Sequence, residues 1–173
     1  MNTLHIFKTA ITGALITGLL CALFFISVMQ IENISPIARY VDIWIPALVM
    51  FYFMRKVKID RPGGTFHFWE GLYMGNIIGI VGGAVSGILL YLTITFISPK
   101  PLENYKAVSI AYLEASKAFI ESNMKGTFEQ KKAEIEAFTA WGLAKDESIR
   151  KIFYCFVLVP IISILNRKKQ KAP

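Results

Sequence analysis

The sequence predicts an all-α polytopic membrane protein with four transmembrane helices and an outer amphipathic helical hairpin between spans three and four. Three observations carry that expectation. Of 173 residues, 54% are hydrophobic and only 18% charged, more apolar than one soluble core of this size requires. Long uncharged runs recur along the chain, and a bilayer whose hydrocarbon is about 30 Å thick takes roughly 20 helical residues. The basic residues of the short segments fall on one side of the resulting topology.

The first span is placed at about 9–31, with Lys8 before it and Glu32 after it. Its length exceeds a signal-peptide core, and Leu19 and Leu20 stand before Cys21 where a cleavage site would need small residues, so an uncleaved helix is expected. The second span is placed at 36–56. Only Ile43 to Met54 is strictly uncharged, which covers about 18 Å. Ser35 as N-cap and Pro36 in the first turn extend it, Arg39 and Asp42 can neutralise each other on one face, and Pro46 is expected to bend its outer half.

The third span, 71–98, contains no charge, and Pro99 and Pro101 close it. Phe66, Phe68, Trp69 and Tyr73 crowd its start in the manner of an interfacial aromatic belt. The fourth, 150–168, has an uncharged stretch only from Ile152 to Asn166, so Arg150 and Lys151 are expected to snorkel, and Pro160 to bend the helix.

The insert between spans three and four, about 100–148, reads as two amphipathic helices. Leu102, Tyr105, Tyr112, Phe119 and Ile120 mark the first, and Gly126 breaks it. Phe128, Ile135, Phe138 and Trp141 mark the second, opened by Thr127 and Gln130 as a capping box. The hairpin either lies on the outer membrane face or folds back over the bundle, and packing of its two apolar stripes on each other is favoured over a docking surface.

Orientation follows from charge. With both termini cytoplasmic, the inner segments hold nine basic residues against Asp60 and Glu70, a net +7, while the outer segments balance at ten of each sign. The net charge of +7 is thus a topology signal with anionic lipid headgroups as its cytoplasmic contact, and nucleic acid is not an expected partner.

Two spans, a basic loop ending in Arg61-Pro62-Gly63-Gly64-Thr65-Phe66, a Gly-rich third span opened by the Phe66 to Gly71 stretch, a helical insert and a last span with a basic tail resemble a known family. It is an uncharacterised family of small four-helix inner-membrane proteins found mainly in Bacteroidota, a domain of unknown function. The last span is shorter here than the family pattern. The resemblance implies a Gram-negative inner-membrane location and the fold, and it implies no activity.

Five glycines, Gly71, Gly75, Gly79, Gly83 and Gly87, stand at four-residue spacing, joined on neighbouring positions by Gly82 and Ser86, and form a helix-packing face. Ala10, Ala14, Gly18 and Ala22 offer a match on span one, so packing of spans one and three is expected ahead of a homodimer seam. Asn76, a polar residue inside span three, is expected to bond to Thr12, Ser27, Ser163 or a carbonyl rather than to line a solute path.

His67 and Glu70, with His5 on the same side, could be drawn as a proton relay or metal site, but an interfacial ring for His67 is favoured. No Ser/His/Asp set or phosphate loop is present at interpretable spacing, and two cysteines and two histidines supply no zinc set, so no catalytic residue, metal or cofactor is assigned. Cys21 and Cys155 read as small apolar residues. The functional expectation is a non-catalytic accessory subunit of another membrane protein. The alternative is an oligomeric solute or ion conduit lined by Asn76, Asp42 and Thr93 or Thr95, and a lipid-acting enzyme at His67 and Glu70 comes last.

Overall fold

The computed structural model describes residues 3–31, 41–117 and 127–167. The Ser35 cap, the Pro36 start, Arg39, the Phe119, Ile120 and Gly126 signals and the Lys168 to Lys171 tail lie outside them. Six α-helices occur among the described residues: α1 (Thr3–Val28), α2 (Trp44–Ile59), α3 (Phe68–Leu92), α4 (Lys100–Ala115), α5 (Thr127–Glu136) and α6 (Ala140–Asn166). A π-helical turn, Thr93–Ile97, extends α3. Three helices are long and apolar enough to cross a membrane: α1, α3 with its π turn, and α6.

Several boundaries differ from the sequence reading. Helix α1 is already helical at Thr3, the first described residue, which makes His5 and Lys8 helical. Helix α2 starts at Trp44 after a 3₁₀ turn over 41–43 and spans only about 24 Å. Pro46 therefore falls in its first turn, where a missing N–H costs no helical bond, rather than at a mid-helix bend. Helix α6 begins at Ala140, well ahead of the expected 150, because the Thr139 hydroxyl caps it by accepting from Gly142 N–H at 3.0 Å. The last helix is thus 27 residues long and takes Trp141 from the insert. Pro160 lies inside it without ending it.

Helix α3 is the centre of the bundle, packed most extensively on α1 and α6, with α2 against all three. One end of the core gathers Ile6, Val57, Phe66 and Ile162; the other gathers Phe25, Met29, Leu90 and Leu143. Phe66 is fully buried there rather than in an aromatic belt, whereas Trp69 beside it is 75% exposed. The turn before α3 needs glycine: Gly63 and Gly64 have φ of 74° and 61°.

The glycine face meets α6, not α1. A Cβ built on Gly75 would lie 2.6 Å from Val159, and one on Gly83 2.9 Å from Ile152; Gly71 is closed by Ser163, Gly79 by Cys155 and Gly87 by Ser148. Partners that descend in number as the glycines ascend define an antiparallel register. The small residues of α1 use a neighbouring face of α3, where Gly18 lies against Val85 and the Gly82 carbonyl, and Gly82 lies against the Ala14 carbonyl and Thr17. Ala10, Ala14 and Ala22 are buried as expected, and Ala14 lies against Gly82 rather than against one of the five spaced glycines. Spacing reveals that a face permits close approach and is silent on which helix takes it.

The insert folds back on the bundle. Leu102, Tyr105 and Phe138 pack against the core at the end of Met29 and Leu90, and the Asn104 amide donates to the Met29 carbonyl at 2.6 Å. Helices α4 and α5 lie side by side, joined by Lys132 to Glu114 at 3.5 Å and by Lys106 Nζ donating to the Glu136 carbonyl at 2.7 Å. The described part of α5 begins at Thr127, and the residues before it lie outside the described ones.

A buried charge quartet as the candidate functional site

Helix α6 carries Glu147, Arg150 and Lys151 at i, i+3 and i+4, which puts all three on one stripe. That stripe turns inward. Lys151 Nζ donates to Glu147 Oε2 at 2.8 Å, and Arg150 pairs with the same oxygen. Asp42, in the 3₁₀ turn that leads into α2, completes the set: its Oδ2 lies 3.0 Å from Lys151 Nζ, and both its oxygens are 3.4 Å from the Arg150 guanidinium. Asp42 and Glu147 are 1% and 0% exposed, and Lys151 is 4% exposed.

Two carboxylates and two cations give formal neutrality. An isolated ion buried this way carries a desolvation penalty of several kcal/mol, which mutual attraction offsets only when the geometry closes around every member. Here each acid touches both bases. Arg150 also lies 5.8 Å from the Tyr154 ring centroid, a further electrostatic contact on its own helix.

The quartet corrects two expectations. Lys151 does not snorkel, and Arg150 turns inward with it, because each finds carboxylate inside the bundle. Asp42 pairs with α6, whereas its expected partner Arg39 lies outside the described residues. Glu147 was missed altogether. Its signal was present as a Glu preceding a Lys by four on a helix, the favourable order for such a pair, but it is visible only once α6 is started at the Thr139 cap.

The other singled-out polar residues behave differently. Glu70 grips Arg61 through two bonds of 2.6 Å each and accepts from the His67 backbone N–H at 2.9 Å. Arg61 in turn donates to the Thr65 carbonyl at 3.3 Å and lies 6.0 Å from the Phe66 ring centroid. Glu70 therefore pins the turn that carries Gly63 and Gly64. His5 and His67 are both exposed. Among the described residues no group of three or more His, Cys, Asp or Glu side chains is arranged to hold a metal ion.

Asn76 is half-buried, and among the described residues no hydrogen bond joins it to Thr12, Ser27 or Ser163. The hydroxyls of Thr12 and Ser163 donate instead to carbonyls one turn back on their own helices, Lys8 at 3.0 Å and Val159 at 2.6 Å. Cys21 and Cys155 are buried free thiols.

No curated protein and no solved structure matches the chain. A family model does, over residues 12–168, and its description is a protein of unknown function. With nearly the whole chain matched, from the first helix through the last, the protein belongs to the DUF4199 family, as the order of spans, turn and insert implied.

Proposed function

We propose that the chain is a multi-pass protein of a bacterial inner membrane, with both termini cytoplasmic, and that it acts as a non-catalytic subunit supporting another membrane protein. In this reading α2 with its preceding turn makes a fourth crossing, and the α4–α5 pair caps the outer end. The observation that supports it is the self-sufficiency of the interior. Small-residue faces bring α3 into contact with α1 and α6, and the buried charges of α6 and of the turn before α2 neutralise one another, so the surfaces are what remain for a task.

The test is purification of the tagged full chain from native membranes in mild detergent, followed by depletion of the chain from cells. A foreign membrane protein present in fixed stoichiometry, whose abundance falls on depletion, is the expected outcome. A pure homo-oligomer that passes solute or ions in liposomes would overturn it.

That second outcome corresponds to a conduit reading, which the quartet itself favours. Ionisable residues within membrane-spanning helices commonly mark ion or proton paths. In that case neutralising Asp42 would abolish flux without dissociating the oligomer.

A further inference from the structure

The strongest feature outside the quartet is at the other end of α6. A cleft of about 320 Å³ opens between α2 and α6, lined by Phe51, Arg55, Lys58, Ile59, Leu165 and Asn166, with Gly64 of the turn as its floor. Its volume is at the lower edge of the 300–1,000 Å³ range common for small-ligand sites. Both its charged groups are cations, and no acid lines it. Among the described residues neither Arg55 nor Lys58 has an ion-pair partner, in contrast to the nearby Arg61, which Glu70 neutralises.

The walls have a different character. Ile59 and Leu165 are 69% and 67% exposed, and both belong to the outward faces of their helices. Helix α6 ends at Asn166, and Arg167, Lys168 and Lys169 follow in sequence, so the cleft lies where an apolar helix meets its basic flank. A second cleft, about 350 Å³, shares Arg55 and Ile59 and is lined also by Tyr52, Lys56 and the acid Asp60. Arg55 thus borders two hollows, of which only the α2–α6 cleft has no acid in its lining.

We infer that the α2–α6 cleft binds the phosphate headgroup of an anionic phospholipid, with Arg55 and Lys58 holding the phosphate oxygens and Ile59 and Leu165 flanking the acyl chains. Among the described residues the Arg55 guanidinium and the Lys58 ammonium have no ion-pair partner, and three residues apart on one helix they suit a phosphate, the former through its fork of N–H donors. The exposed aliphatic side chains beside them select an amphiphile over a soluble anion. This inference rests on the reading that α6 crosses the membrane, and it does not depend on which side the cleft faces.

The test uses the full chain in nanodiscs of phosphatidylcholine with a minor share of phosphatidylglycerol, then mild-detergent extraction and mass spectrometry of the lipid retained. Wild type should keep phosphatidylglycerol. The double variant Arg55→Gln, Lys58→Gln should lose it by about tenfold or more, since each basic residue near an anionic surface contributes on the order of 1 kcal/mol. The charge-preserving Arg55→Lys, Lys58→Arg should retain it, which separates loss of the site from loss of the fold. Lys100→Gln with Lys145→Gln makes the same change in net charge at the far end and should also retain it.

Equal loss in that control, or unchanged retention in the Arg55→Gln, Lys58→Gln variant, overturns the site. Displacement of the lipid by inorganic phosphate overturns the lipid assignment in favour of a soluble anion. Failure of the wild-type chain to enter the nanodiscs at all would count instead against the membrane reading.

Discussion

Lys151 on α6 and Asp42 ahead of α2 meet at 3.0 Å in an environment that leaves almost none of either side chain exposed. The contact fixes the start of a short helix against the middle of a long one, and Glu147 lies within 2.8 Å of the same ammonium. Removing one member leaves a buried charge without compensation. Lys151→Met should therefore destabilise the bundle by about 3–5 kcal/mol. Pairing it with Asp42→Asn should cost less than the sum of the two single changes, with a coupling on the order of 1–3 kcal/mol. Denaturation of the four proteins in one detergent checks this, and strict additivity would refute the contact.

The glycine face yields a size-swap experiment. Gly79→Leu should reduce stability by more than the usual 1–3 kcal/mol of mild overpacking, because even a Cβ at this position collides with Cys155. Gly79→Ala should be partly rescued by Cys155→Gly, which opens the opposing wall. A matching rescue by shortening a residue of α1 instead would assign the face to the wrong neighbour.

Arg61 and Glu70 should behave as one unit. Arg61→Gln and Glu70→Gln each break a doubly hydrogen-bonded pair at the turn, for about 1.5–3 kcal/mol. Their combination should cost little more than either alone, as read from melting temperatures of all three variants.

Gly63 offers a test of backbone rather than packing. Nothing lies within 4 Å of a Cβ built there, yet its φ of 74° disfavours side chains. Gly63→Ala should cost about 1–2 kcal/mol despite the open space, and Gly63→Asn less. Equal stability of the Ala variant and wild type would contradict the turn geometry.

The proposed topology can be read by labelling. The native thiols are buried, so single cysteines introduced at the exposed Ile59 and Tyr112 should dominate the signal. An impermeant maleimide applied to intact inner-membrane spheroplasts should modify Tyr112→Cys and spare Ile59→Cys. The reverse pattern inverts the orientation.

The parts legible in the sequence were those governed by continuous local composition. The uncharged runs of α1 and α3 announced two membrane-length helices, and the period of four announced a close-approach face. What escaped was decided by partners distant in the chain. Glu147, Arg150 and Lys151 look like the charged edge of a loop until Asp42 is placed among them, and their solvation is then supplied by the protein. The glycine face likewise has no label for its mate, because Val159, Cys155 and Ile152 are ordinary helix residues whose fit against Gly75, Gly79 and Gly83 exists only in three dimensions. Phe66 has interfacial neighbours in sequence, yet it is buried in the core cluster that holds Ile6, Val57 and Ile162.

The quartet also couples two segments that are distant in the chain. Taken alone, the stripe of α6 bears one carboxylate and two cations, a net charge of +1. The missing negative charge is on a segment synthesised far earlier. The charged turn of the final helix therefore reaches neutrality only with Asp42 beside it, so the approach to the short helix and the inward turn of the long one stand or fall together.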